Sequence, residues 1–549
     1  MASAKTRWIG LLFISLGISL VIIDGTIVNT IFPEIIGELG LTSTEVQWVQ
    51  ESYILVFAAT LLIWGSVADR LGRRRVLLVG IVLFIAASIW AGAADSATSL
   101  ILARVAQGFG GAMVLPTTLS LVNATFQGRE RGIAFAVWGS TIGGMVAVGP
   151  VLGGWLATDF TWRWAFLINI PLGVIIMAGL ILFVQESRSP TVVKGVDWVG
   201  GALSVLLFGP LVFGLIEGRI YGWWSPNPET PFSIGSFVWP SSGLSVIPVA
   251  LAVSLVAGVA FVVWERRREK SGQAVLLDLN LFKISSFRNG SIAALIISMG
   301  EFGLLFAIPL WLQNVIGMTP IGAGLVLLFL AGGAFVASGV GGALSGKLAP
   351  ARAVQIGVVL EIVGIVGFGV VASTDTGWGA IAPFLFVYGI GVGLATAQLT
   401  GVIMVDVPMD KTGQGSGSQS TVRQIGSALG IAVLGTTLFT GTEVALDDRL
   451  SELSLPPASQ SQVVDLVVGS AGGAIPGIAE ALQAQQVDAA TAAAVQSASS
   501  EAFTDGAQLS AYVAAGFLVV GFLSTFNLGG SRPAYARREE AADDTAPRP

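Results

Sequence analysis

Ionisable side chains stand inside long apolar runs of this 549-residue sequence, among them Asp24, Glu51, Arg104, Glu301 and Glu361. If those runs cross a bilayer, a charge at their centre costs about 2.5–3.5 kcal/mol on insertion scales. Each such group must then pair with an opposite charge, face a wet cavity or carry a proton. The chain has no histidine and no cysteine, which removes the usual neutral-pH proton shuttle, thiol chemistry and the commonest metal ligands. What remains is reversible protonation of carboxyl groups. No paired-carboxylate or serine-based motif lies on a loop, so an enzyme is not indicated, and without a GxxxxGK[ST] run no ATP site is implied. The expectation is a protein with no cofactor and no metal.

The apolar runs must be placed before these residues can be. With 53% hydrophobic and 11% charged residues and a mean hydropathy of +0.79, the chain has too little polar surface to cover a water-soluble globule of its length. It is expected to be an all-α polytopic membrane protein in contact with lipid. Apolar spans of about 20 residues fall near 8–31, 47–68, 76–94, 99–122, 132–157, 165–184, 197–217, 243–264, 289–313, 321–345, 353–372, 379–405, 419–440 and 509–529, giving fourteen helices. Lys5, Arg7 and the first run resemble a signal peptide, but the run is too long and lacks a small-residue cleavage site, so it is read as a retained helix. On this threading 24 of the 28 Lys and Arg residues fall on one side, all but Arg104, Arg163, Arg219 and Arg449. The positive-inside rule makes that side, with both termini, cytoplasmic.

Two segments lie outside the pattern. Residues 442–508 are rich in Ala, Gln and Ser with nine acids against Arg449, and read as a small helical or partly disordered outer flap. Residues 531–549 read as a disordered cytoplasmic tail. A weak repeat relates GSVADRLGRRRVL (65–77) to GALSGKLAPARAV (342–354), the trace of a duplicated transporter fold. The division expected is a six-helix bundle over 1–190, an inserted two-helix linker over 191–285, and a second six-helix bundle over 286–530.

Helix rise sets the depth of each charged group. Asp24 lies 16 residues past Trp8, about 24 Å into a core about 30 Å thick. Arg104, entering from outside near Ser99, is about 8 Å below the outer face, and Glu51 is at a similar depth. Asp24 is therefore expected to meet Arg104, either as a static pair that orients helices or as an acid neutralised in turn by arginine, proton and a cationic substrate. Glu51 shares the layer, or snorkels at the interface. Glu301, in IISMGEFGLLFAIPLW (296–311), lies near mid-membrane with no basic residue expected at its depth. It should therefore hold a proton near neutral pH, for exchange or as a permanent structural acid. Glu361 reads as structural.

GSVADRLGRRR, RVAQGFGGA (104–112), GPVLGG (149–154), DGTIVNTIFP (24–33), WRWAFLINIPLG (162–173) and GQGSGSQSTVRQIGSALGIAV (413–433) together resemble the major facilitator superfamily, and within it the fourteen-helix drug:proton antiporters. The resemblance implies two six-helix bundles plus an inserted pair. It also implies that Asp69, with Gly65, Arg70, Gly72, Arg73 and Arg74, latches the halves when the cytoplasmic side is closed. A cluster that only sets topology would explain the arginines but not Asp69 or the glycines. In the repeat Gly346 stands where Asp69 does, so the latch should be asymmetric. Gly149, Pro150, Gly153 and Gly154 match the stretch tied to export, with Met145 where the pattern has a glycine; close helix packing would suffice to explain them. Asp406 and Arg423 are further candidates.

The function expected is proton-coupled export of amphipathic, often cationic compounds by a monomer in a bacterial plasma membrane, without nucleic acid. Alternatives are export of lipids or an endogenous metabolite on the same fold, or a membrane sensor that transports nothing. A sensor would tolerate neutralisation of Asp24 and Glu301.

Overall fold

A computed structural model describes residues 4–28, 31–41, 43–188, 197–228, 230–234, 237–344, 348–453 and 455–528. Among the described residues a helix occupies the larger part of each of the fourteen apolar runs. We number them α1 (Ala4–Ile27), α2 (Ser43–Leu71), α3 (Arg73–Gly92), α4 (Ala97–Thr125), α5 (Gly128–Asp159), α6 (Asn169–Phe183), α7 (Trp198–Tyr221), α8 (Val246–Lys270), α9 (Ser285–Asn314), α10 (Pro320–Leu344), α11 (Pro350–Val371), α12 (Trp378–Met404), α13 (Thr412–Ser451) and α14 (Ala489–Thr525). The chain is therefore all-helical, apart from a hairpin of Ser233–Ile234 with Phe237–Val238 between α7 and α8. Among the described residues, twelve helices are long and apolar enough to cross a membrane. Of the rest, α5 is glycine-rich and α10 contributes the shorter apolar helix Ile321–Ala337. The helical form follows from the solvent: in lipid a backbone must bond within its own segment. Starts are marked by side-chain caps, as where Asp197 accepts from Gly200 N at 2.8 Å and Asp488 from Thr491 N at 2.9 Å, or by proline in the first turn, as at Pro350.

Helices α1–α6 pack on one another, as do α9–α14; α7 and α8 pack together and lean on α2. The two sets meet where α2 lies on α13 and α5 lies on α10 and α12. Glycines allow these approaches. A methyl at Gly139 would sit 3.0 Å from Ala397 Cα, and one at Gly154 2.5 Å from Ile321 Cγ1.

The outer segment 442–508 is helical at both ends, since α13 runs on to Ser451 and α14 begins at Ala489, and one helix boundary needs correction. Pro457–Gly469 and Ile478–Ala484 fold between them around Leu446, Val467, Ile478 and Phe503. Hydropathy marks where lipid ends, but Ala-rich sequence carries a helix past that point. At its inner end α13 begins at Thr412, not 419, which puts Arg423 eleven residues inside a helix and not in a cytoplasmic loop. The latch repeat at Gly346 and the tail 531–549 lie outside the described residues.

Candidate functional site

Asp24, near the outer end of α1, is fully buried. Its Oδ2 accepts from Arg104 Nη1 at 2.5 Å, and its Oδ1 accepts from Gln107 Nε2 at 3.1 Å and Asn169 Nδ2 at 2.9 Å. Arg104 also donates through Nε to the Val49 carbonyl at 3.1 Å, and its guanidinium lies 4.3 Å from the Tyr53 ring centre. Ser88 Oγ accepts from Gln107 at 2.8 Å and Asn169 at 3.1 Å. Depth arithmetic placed the ion pair; it did not find Gln107 or Asn169. One turn along from Arg104, and inside WRWAFLINIPLG, those two amides were the available signal. The result is a polar knot tying α1, α2, α3, α4 and α6. A buried pair of this kind persists because its remaining lone pairs are hydrogen-bonded.

Glu51 does not join that knot. It faces α7, where its carboxyl lies within hydrogen-bonding reach of Glu217. The helical turn separates it from Asp24, since depth alone says nothing about which side of a helix a residue occupies.

In the second half Glu301 is not isolated. Its Oε2 lies 3.4 Å from Arg423 Nη2, and its Oε1 accepts from Thr396 Oγ1 at 3.1 Å. The partner was missed because α13 starts earlier than its hydropathy indicates. A small polar cavity of about 10 Å³, room for one water, adjoins the pair and is lined by Ser298, Thr396, Thr400, Gln419, Glu301 and Arg423. Glu361 on α11 is also fully buried, and neither carboxyl oxygen has a partner.

At the inner end Asp69 is buried and uses both oxygens. Oδ1 accepts from Arg73 Nη2 at 2.8 Å and Nε at 3.1 Å; Oδ2 accepts from Gly413 N at 2.7 Å and Gln414 N at 3.2 Å. It therefore caps α13, where orphan N–H groups and the helix dipole favour a carboxylate. A methyl at Gly65 would run into the Gly413 carbonyl. The nearby arginines bond to segments outside α13. Arg73 reaches Ser187 Oγ at 3.4 Å, Arg74 donates to the Val184 carbonyl at 2.8 Å, and Arg70 donates to the Val275 carbonyl at 2.8 Å. Gly72 has φ +112, and its missing side chain leaves room for the Glu186 carboxylate. Glu186, unnoticed in the sequence, accepts from Arg74 N at 3.0 Å and Arg75 N at 3.1 Å and so caps α3.

Gly149 lies against Thr26 of α1, while Gly154 and Val151 meet Ile321 and Gly324 of α10. Pro150 lies within α5, and Gly153 is buried there. Asp406, just past α12, accepts from Ser286 Oγ of α9 at 2.9 Å.

The model for the Major Facilitator Superfamily matches residues 14–199 and 197–431. The chain belongs to that superfamily, whose members are transporters. It is 31% identical over 513 residues to the multidrug efflux pump LfrA of Mycolicibacterium smegmatis, covering 92% of this chain and 93% of that protein. It is 28% identical over 472 residues to the tetracenomycin C resistance and export protein of Streptomyces glaucescens, covering 85% and 83%. The multidrug resistance protein Stp of Mycobacterium tuberculosis matches at 29% over 479 residues, covering 86% and 84%. Among solved structures, the human organic anion transporter MFSD10 superposes with a TM-score of 0.59 at 11% identity, covering 95% of this chain and all of that one.

Proposed function

We propose that this chain exports amphipathic, often cationic drugs in exchange for protons, by alternating access, as a monomer in a bacterial plasma membrane. It does so with fourteen spanning helices, both termini in the cytoplasm, and no cofactor beyond the proton gradient. The first bundle spans 1–190 and the second 286–530, with the linker 191–285 inserted between them. Relatives named for multidrug efflux, at 28–31% identity over more than four-fifths of this chain, support drug as the cargo. The observation that most favours proton coupling is that each half buries an acid–arginine pair, Asp24 with Arg104 and Glu301 with Arg423.

Glu301 adjoins the cavity and makes the longer bond, so it is the acid we assign to proton exchange. Glu361 stays neutral beside it, because a buried carboxyl without partners cannot bear charge cheaply. Asp24 holds the first half in register and responds to substrate charge when the knot opens. Asp69 closes the cytoplasmic side, and the stretch Gly149, Pro150, Gly153 and Gly154 lets α5 slide between α1 and α10.

The test is transport in proteoliposomes under an imposed pH gradient, with a panel of cationic dyes and neutral lipids. Uphill movement of the dyes that collapses with the gradient supports drug:proton exchange. Movement of lipids alone moves the assignment to lipid export, and no movement of either leaves a sensor.

A further inference from the structure

Glu51 and Glu217 meet between α2 and α7 without a cation. Glu217 is only 2% exposed, and the Oε2 atoms of both residues are buried with no hydrogen-bond partner. Their carboxyl groups lie within hydrogen-bonding reach of one another. Two carboxylates have only acceptors to offer, so a bond between them requires a proton on one. Among the described residues neither acid forms a salt bridge. The groups on the surrounding elements are accounted for. On α4, Arg104 is held by Asp24, and on α13 Arg423 lies beside Glu301. On α8, Ile247 and Leu251 face Gly214 of α7. On α7 itself Tyr221 is the other titratable neighbour, and it is hydrogen-bonded with Trp48. The helices run antiparallel in close register, Gly209 beside Ala59 and Gly201 beside Ile63.

We propose that Glu51 and Glu217 form a second proton-binding site, in which one shared proton joins the inserted pair α7–α8 to α2. When the proton is present one carboxyl donates to the other. When it leaves, two like charges face each other in an apolar seam, and they cannot both remain ionised there. The helices must part or admit water. This site is separate from Glu301, and it stands whether or not drug is exchanged for proton.

The test uses the full chain in lipid nanodiscs at equilibrium. Infrared spectra recorded from pH 5 to pH 9 are expected to show a titrating protonated-carboxyl band that is missing from the Glu51→Gln/Glu217→Gln double variant, which keeps the shape and a hydrogen bond. Superimposable titrations of the two proteins overturn the proposal. Because the chain has no cysteine, Ala58→Cys with Val212→Cys reports the α2–α7 contact directly; both positions lie in one buried cluster. Cross-linking should fall several-fold from pH 5 to pH 9 with the acids intact, and stay level with both replaced by glutamine. Should the glutamine variant fold poorly, the parent cysteine pair still decides the matter, since a pH-independent yield there overturns the proposal.

Discussion

Asp69 accepts the backbone N–H of Gly413 at 2.7 Å, so a carboxylate of the first six helices caps a helix of the last six. Charge at a helix N-terminus contributes roughly 0.3–2 kcal/mol, the upper end where it is partly buried. Asp69→Asn should therefore shift the closed state by up to about 30-fold and slow transport, whereas Arg75→Lys, at an exposed position, should leave it near normal. Equal, mild losses from both would assign this loop to topology alone. Gly65→Val should block closure, read as loss of protection of cysteines introduced on the inner face.

Removing one member of a buried ion pair leaves an uncompensated charge and costs about 3–5 kcal/mol. Arg104→Gln should therefore lower the thermal midpoint in detergent markedly more than Asp24→Asn combined with Arg104→Gln. If the double variant is no more stable than the single, the knot is not held by charge compensation.

Glu301→Gln should abolish the response to a pH gradient while dye binding remains measurable, because it removes the exchangeable proton and keeps the side chain's size and shape. Glu361→Gln should change neither transport nor thermal midpoint by much, since it replaces a neutral group by a neutral one. An unaltered pH response in Glu301→Gln would move proton exchange to another acid.

Asp278, in the segment between α8 and α9, bonds to Lys411. Burial pushes its carboxyl up, but the bond from Lys411, the Asn280 amide N–H and the Lys411 charge together hold it below the usual range. A carboxyl depressed in the folded state stabilises that state above its unfolded value of about 3.9, and the contribution is lost as pH falls through the folded value. Limited proteolysis around residues 271–284 should therefore be level between pH 6 and pH 8 and rise only below about pH 4. Asp278→Asn should raise it at neutral pH.

Much of this was legible in the residues. Asp24 and Arg104 could be matched because rise per residue fixes depth, and Asp69 could be singled out because topology needs only positive charge. Glu301 was misread through a boundary: the stretch TGQGSGS (412–418) at the start of α13 looks like loop to hydropathy, yet it is helix, buried except at Gln414, that brings Arg423 beside it. Glu217 was passed over at the end of the 197–217 run, although the depth rule used for Glu51 places it in the same layer. Azimuth is the missing quantity. Depth is one-dimensional, and only packing shows that Glu51 turns to α7 while Arg104 turns to Asp24.

The continuation of α13 and α14 beyond the apolar runs makes each a rigid lever. From residue 509 outward α14 extends about 30 Å, so a tilt of roughly ten degrees within the bilayer sweeps its tip by about 5 Å. The segment folded between the two helix ends is tied to α9, where Asn314 Nδ2 donates to the Ala471 carbonyl at 3.0 Å. Rocking of the second bundle is thus amplified at the external surface, where a fluorophore or an antibody fragment on 457–484 would register each inward and outward swing without touching the transport path.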